Sequence, residues 1–206
     1  MLIIDCHAHI HGEDEKRYPT IDNPYRPPQG TGTLEHLRRE MKAAGVAFVA
    51  AIQTSTFYRW DNRFTTDSAR ASPDWMVGVC TLDPDDPHSP GLLQEYVRDS
   101  NVRGMRSVPA ANGKLDHPGV IKLWETAEQL GIVINVLVNR DRRDEISALL
   151  QRLAEVESGP RSLSEHQGRS GSGCHRCRRG QAGPASQPAR QTHLHSDRQR
   201  RTLPMC

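Results

Sequence analysis

Two histidines near the start of the chain have a spacing that suits metal binding. His7 and His9 lie one residue apart in the run Ile3-Ile4-Asp5-Cys6-His7-Ala8-His9. Alternate side chains of a strand share a face, so a strand here would place Asp5, His7 and His9 together. Neutral imidazole is a ligand for zinc and related metals, which polarise carbonyls and lower the pKa of bound water to about 7. The pattern predicts a divalent metal, zinc, on His7 and His9; the alternative is two polar residues at a strand end.

The first 159 residues alternate short apolar runs with amphipathic stretches. The apolar runs predict buried strands, because each is short and several are rich in β-branched residues. They cover Leu2–His9, Ala47–Gln53, Met76–Leu82, Val102–Ser107 and Ile132–Val138. Amphipathic spacing between and after them predicts helices that begin near Leu34, Thr65, Ser89, Val120 and Ile146. Thr33 and Ser89 are the expected N-caps of two of these helices, and Gly45 is expected to follow the end of the first.

This order of elements predicts an α/β fold. Strands that alternate with helices form a parallel sheet with helical crossovers. No glycine-rich phosphate loop follows the first strand, which argues against a dinucleotide-binding fold. A TIM-barrel-type (β/α)8 fold has eight strand–helix units in about 250 residues. The chain provides about five to six units, so we expect an incomplete barrel over residues 1–159.

Composition changes after residue 159. Residues 1–159 hold 18 Lys+Arg and 23 Asp+Glu, a net charge of −5, whereas residues 160–206 hold 9 Arg and 2 acids, a net charge of +7. The second segment contains no Val, Ile, Phe, Trp or Tyr, so we expect a basic, low-complexity, disordered tail. No apolar run is long enough for a membrane span and no signal peptide opens the chain, which favours a cytoplasmic protein.

Three explanations of this tail remain open. Its arginines could bind nucleic acid, although it lacks aromatic residues for stacking and we regard nucleic acid as an unlikely partner. Cys174 and Cys177 could form a small zinc site with His193 and His195. The interpretation we favour is a shift of reading frame near residues 160–167, since Arg, Gly, Pro, Ala and Ser are typical of a GC-rich gene read out of frame.

The run Ile4-Asp5-Cys6-His7-Ala8-His9 resembles the opening motif of the amidohydrolase-related proteins, the TIM-barrel metal-dependent hydrolases. Other stretches between residues 2 and 158 resemble the same family in the same order. They are Gln53, Tyr58-Arg59-Trp60-Asp61-Asn62, Val77-Gly78-Val79 with Asp83-Pro84, and Val102-Arg103-Gly104-Met105-Arg106. The resemblance is greatest to the branch that contains lactonases of sugar acids and of pyrone or muconate derivatives, and decarboxylases share its fold.

The resemblance implies roles for individual residues. His7 and His9 are the expected metal ligands, and Arg106 is the expected anchor of a substrate carboxylate, because guanidinium and carboxylate pair in a bidentate manner. An ordinary structural ion pair is the alternative for Arg106. Gln53 and Ser55 are expected to donate hydrogen bonds to substrate, and His166 is a possible further site residue.

The function that these features imply is hydrolysis of a small carboxylated lactone or similar ester. A non-oxidative decarboxylase of the same fold and a non-enzymatic nucleic-acid binder are the alternatives, and the sequence leaves the oligomeric state open. An unclosed barrel exposes strand edges, and the family's last-strand Asp base is not recognisable here. We therefore expect poor folding and little or no turnover from this chain.

Overall fold

The computed structural model describes residues 1–158, which form one five-stranded sheet with helical crossovers. The strands are β1 (Ile4–His9), β2 (Phe48–Ile52), β3 (Met76–Thr81), β4 (Val102–Ser107) and β5 (Val133–Val136). They lie in the order β1-β2-β3-β4-β5, and every neighbouring pair is parallel. This arrangement confirms the predicted α/β class and the incomplete TIM-barrel type: the described residues form a half-barrel. The predicted boundary between residues 159 and 160 stays a prediction.

Six α-helices accompany the strands. They are α1 (Leu34–Ala44), α2 (Ser55–Tyr58), α3 (Arg63–Ala71), α4 (Ser89–Asp99), α5 (Pro118–Gln129) and α6 (Arg143–Ser158), and a 3-10 turn at Arg140–Arg142 precedes the last. The sequence predicted all of them except α2, whose four residues are too few to show an amphipathic period. None of the helices in this part of the chain is long and apolar enough to cross a membrane.

The helix ends confirm one predicted N-cap and correct the other. The Thr33 side chain accepts a hydrogen bond from the His36 backbone N–H at 3.1 Å, and Gly45 follows α1 with a φ of 69°. The assignment of Ser89 as a cap was wrong, because His88 occupies that position and Ser89 is the first helical residue. The Ser89 hydroxyl instead donates to the Asp83 carbonyl at 2.6 Å.

The largest buried cluster lies where α4 and α5 pack on β3 and β4. Leu93, Met105 and Trp124 are at most 2% exposed within it. The indole Nε1 of Trp124 donates a hydrogen bond to the Ser107 hydroxyl at 2.8 Å, at the carboxyl end of β4. A buried indole N–H needs a partner, so this bond fixes α5 against the strand that carries Arg106.

Both outer strands of the described sheet pair on one side only. Ile4 in β1 is 57% exposed and Val133 in β5 is 70% exposed, whereas Ala51 in β2 and Val102 in β4 are fully buried. In a closed barrel every strand has two neighbours, which would cover such side chains. Exposed parallel edges are therefore a property of the half-barrel, as the count of strand–helix units predicted.

Replacing Ser107 with Ala should destabilise the half-barrel by about 1–3 kcal/mol, because the buried indole N–H of Trp124 loses its acceptor. Urea denaturation followed by tryptophan fluorescence measures this loss. Ser147→Ala is the matched control, since it removes an exposed hydroxyl on α6 and should change stability by less than about 0.5 kcal/mol. Equal stability of the two variants would show that the indole bond contributes nothing.

Candidate active site

The candidate site lies at the carboxyl ends of β1 and β4. In the sheet register His9 pairs with Ile52, and Arg106 pairs with Thr81 on one side and Asn135 on the other. Parallel pairing therefore brings Arg106 to the same edge of the sheet as His7 and His9, which precede it by 99 and 97 positions. TIM-type barrels build their active sites at this edge.

The two imidazoles converge at the carboxyl end of β1, and their role as metal ligands stays a prediction. Their Nε2 atoms are 3.3 Å apart, and Nδ1 of His9 is 2.9 Å from the Ile52 carbonyl oxygen. A carbonyl only accepts, so Nδ1 of His9 carries the proton and its Nε2 keeps a free lone pair. Desolvation of the ring lowers the pKa of His9, and the nearby charges of Arg106 and His7 lower it further against the hydrogen bond to Ile52, which raises it.

Asp5 supports the pair through the backbone. The pairing of β1 with β2 shifts by one residue between Asp5 and Ala8, a β-bulge in the strand that carries both histidines. There the Asp5 carboxylate accepts a hydrogen bond from the backbone N–H of His7 at 2.9 Å. Period-two alternation predicted one shared face for Asp5, His7 and His9, and this bulge interrupts that alternation.

The histidine pair fits two corners of a tetrahedral metal site. A zinc ion with Zn–N bonds of about 2.05 Å holds its nitrogen ligands about 3.3 Å apart, which is the distance between these Nε2 atoms. A backbone acceptor on the second nitrogen is the usual support of a metal-binding histidine, and Ile52 provides it for His9. Among residues 1–158, no group of three or more His, Cys, Asp or Glu side chains is placed to hold a metal.

Arg106 is the buried cation of the site. The residue is 6% exposed, and its Nη2 lies 3.3 Å from Nε2 of both His7 and His9. Its Nε is buried without a hydrogen-bond partner in the described chain, and no ion pair within residues 1–158 involves this guanidinium. Burial lowers the pKa of Arg106. The alternative of an ordinary structural ion pair therefore finds no support among the described residues.

Gln53 and Ser55 lie at the carboxyl end of β2 and bond to the following loop. Gln53 is fully buried, and its amide donates to the carbonyls of Arg59 and Asp61 at 2.9 and 3.0 Å. Its side-chain oxygen accepts from the Ser55 hydroxyl at 2.8 Å. These bonds hold the loop that contains α2, and donation from either residue to substrate stays a prediction. His166 and the cysteines and histidines of the tail lie outside the described residues.

A cavity of about 260 Å³ adjoins His9, and sequence reasoning did not identify most of its walls. It is lined by His9, His11, Tyr25, Pro27, Gly32, Thr54, Thr56 and Phe57. Tyr25, Pro27 and Gly32 belong to the proline-containing loop between β1 and α1. The signal for the individual residues was weak, because a loop without periodicity does not indicate which side chains point inward.

His11 connects this loop to the cavity. Its backbone N–H donates to the Gly32 carbonyl at 3.0 Å, and its ring lies 5.1 Å from the Phe57 ring between centroids. Gly32 has a φ of 74°, and a Cβ built on it would lie 2.4 Å from Cε1 of His11. Gly32 is therefore required both by its backbone conformation and by the close approach of His11.

Solved structures share this fold at low sequence identity. A probable 2-pyrone-4,6-dicarboxylic acid hydrolase from Acinetobacter baumannii, with citric acid bound, has a TM-score of 0.58 and 18% identity over 75% of this chain and 55% of its own. An amidohydrolase from Burkholderia multivorans with bound zinc has a TM-score of 0.53 and 19% identity, over 74% and 55% respectively. An apo protein from Agrobacterium tumefaciens has a TM-score of 0.53 and 18% identity, over 73% and 53%.

The chain thus spans about half the length of the structures it resembles. No curated protein sequence matches it. The sequence profile of the amidohydrolase family matches residues 4–160, from the first residue of β1 to beyond the end of α6. The match covers most of the chain and includes His7, His9 and Arg106, and with the half-barrel it shows that this chain belongs to the amidohydrolase family.

Proposed function

We propose that this site binds and hydrolyses a small carboxylated lactone or a similar ester. Arg106 holds the carboxylate of the substrate, and His7 and His9 lie beside the group that reacts. The cavity next to His9 accommodates the body of the substrate. Low turnover by this chain remains our expectation, so binding is the first quantity to measure.

The observation that carries the proposal is the buried Arg106 without an acidic partner among residues 1–158. Moving a cation out of water is costly unless a counter-charge compensates it. The only hydrogen-bond acceptors that the described chain offers this guanidinium are the Nε2 atoms of two imidazoles. A carboxylate would compensate the charge and could accept two parallel hydrogen bonds, one of them from the orphan Nε.

The cavity supports a substrate with a ring. Besides His9, the aromatic side chains that line the cavity are His11, Tyr25 and Phe57. The cavity volume of about 260 Å³ suits a small cyclic compound rather than a polymer. Because His9 is part of the lining, a ring in the cavity lies close to the imidazole pair. Hydrolysis of a lactone requires this proximity between the ring ester and the polar groups of the site.

A divalent metal would be held by Nε2 of His7 and Nε2 of His9. When bound, it would polarise the ester carbonyl. The backbone carbonyl of Ile52 keeps His9 in the tautomer that such binding needs. The contribution of Arg106 is different, since it orients the substrate through the carboxylate.

Two of the structures with the same fold are consistent with this proposal. One is named as a hydrolase of a pyrone dicarboxylic acid and holds citric acid, a tricarboxylate, and the other holds zinc. Their low identity to this chain supports the fold alone, so the choice of a carboxylated ring substrate rests on Arg106 and on the cavity.

Arg106→Gln should weaken binding of a 2-pyrone carboxylate roughly tenfold to a hundredfold, because a charge-assisted hydrogen-bonded pair contributes about 1.5–3 kcal/mol. Binding of the same pyrone without its carboxylate should change by less than about twofold. Isothermal titration calorimetry measures both, and release of the ring-opened acid, followed by chromatography, tests hydrolysis.

Arg103→Gln is the matched control, since Arg103 is on the same strand but exposed, and its Nη1 donates to the carbonyls of Val97 and Val102. This variant should bind the carboxylated pyrone as the unaltered chain does. The proposal fails if Arg106→Gln and Arg103→Gln bind it equally well. Release of carbon dioxide without ring opening would favour the decarboxylase alternative.

Gly32→Ala should weaken binding of the carboxylated pyrone at least about fivefold, because the new Cβ displaces His11 from the cavity wall. It should also destabilise the chain by about 1–2 kcal/mol, since alanine is strained at positive φ. Calorimetry and urea denaturation provide the two measurements.

Gly30→Ala separates these two effects. Gly30 has a φ of 75°, and a Cβ built on it would meet nothing within 4 Å. This variant should show the loss of stability without the loss of binding. Equal binding by Gly32→Ala and Gly30→Ala would mean that His11 does not shape the substrate cavity.

A further inference from the structure

Arg106 and a divalent cation need the same two lone pairs. A neutral imidazole has one acceptor nitrogen, and the bond from His9 to Ile52 makes this Nε2 in His9. Guanidinium nitrogens only donate, so Nη2 of Arg106 can bond to both histidines only if Nε2 of His7 is also unprotonated. Each lone pair is then directed to the arginine and is not free for a metal.

The positions of the three nitrogens lead to the same conclusion. Nε2 of His7, Nε2 of His9 and Nη2 of Arg106 are all 3.3 Å from one another. This triangle has the dimensions of one face of a tetrahedral zinc site, in which Zn–N bonds are about 2.0–2.1 Å. Nη2 therefore occupies the position of a third ligand, but it has no lone pair to donate and belongs to a cation.

A metal ion about 2.05 Å from Nε2 of both histidines would lie between about 1.6 and 4.1 Å from Nη2 if Arg106 kept this position. Two cations at any distance in this range repel each other where little water screens them. The metal and the arginine in this conformation therefore exclude each other. An anion can favour metal binding in this competition. A carboxylate that pairs with the guanidinium takes over the hydrogen bonds that Arg106 gave to the imidazoles and neutralises the charge of Arg106.

We propose that the His7–His9 pair is a divalent-cation site that Arg106 keeps closed until a carboxylate draws its guanidinium away. Substrate and metal then bind cooperatively: each raises the affinity for the other by the same factor. The carboxylate step rests on the function proposed above, whereas the competition between Arg106 and metal follows from the geometry alone.

The competition is tested by titrating the full chain with cobalt(II) and recording its visible absorption. Arg106→Met should bind cobalt at least about tenfold more tightly than the unaltered chain, and Arg103→Met should bind as the unaltered chain does. Cys174 and Cys177 could also take cobalt, so the relevant signal is the part that a further His7→Gln substitution abolishes. Equal affinity of the His7-dependent site in Arg106→Met and in the unaltered chain would overturn the proposal.

The carboxylate step is tested first on the unaltered chain, and this first result does not depend on whether a variant folds. Benzoate should tighten cobalt binding at least about fivefold, and benzamide, its neutral counterpart, should not. Benzoate should have no such effect on Arg106→Met. Benzoate that binds the metal-free chain without changing cobalt affinity would overturn the gate but leave the proposed function standing. Failure of benzoate to bind at all would count against both.

Discussion

Parallel pairing of the strands is the constraint on which the site depends. Because every crossover returns the chain in the same direction, the carboxyl ends of all five strands lie at one edge of the sheet. His9 ends β1 and Arg106 lies one residue before the end of β4, with two strands between them. The curvature of the half-barrel then closes the remaining distance, and the guanidinium reaches both imidazoles. An antiparallel arrangement of the same strands would separate these side chains.

The site is organised around one uncompensated charge. Hydrogen bonds within the described sheet satisfy most of its buried polar groups, whereas the Nε of Arg106 has no partner there. A buried cation in this state costs stability, and it is retained most readily where a ligand supplies the counter-charge. The partly desolvated His9 has a lowered pKa, so it meets Arg106 as a neutral acceptor rather than as a second cation. The positive charge of the site thus lies on Arg106, beside a neutral imidazole.

The loop after β1 is held to the sheet by few but specific contacts. The backbone N–H groups of Ile21 and Tyr25 donate to the carbonyls of Phe57 and Thr56, both within the short helix α2. Arg26 pairs with Glu15 across the loop, with the guanidinium above the Phe57 ring. These contacts make α2 part of the site, because it supports the loop residues that line the cavity beside His9. The bonds of Gln53, which lies before α2, hold the carbonyls of Arg59 and Asp61 that follow it.

Local sequence patterns predicted the strands and most of the helices, and they named the residues of the candidate site. Apolar runs bounded by amphipathic stretches predicted all five strands within three residues at each end, because burial on both faces of a parallel sheet demands continuous apolar sequence. The His-x-His spacing identified the imidazole pair, because strand periodicity is a local property. Sequence periodicity did not predict helix α2, the position of Ser89 or the bulge at Asp5. Each of these features depends on contacts with distant residues rather than on a repeating pattern.

The bonds and burial of the predicted residues depend on tertiary packing. Arg106 could equally have formed an ion pair, and its burial without an acidic partner in the described chain is a consequence of packing that no local pattern reveals. Gln53 looked available to a substrate, but the fold directs its amide to two loop carbonyls. The contact between Arg106 and the histidines joins residues about a hundred positions apart, and its 3.3 Å distances follow from sheet register and curvature. No local stretch of sequence specifies these distances, because register and curvature depend on how the whole sheet packs.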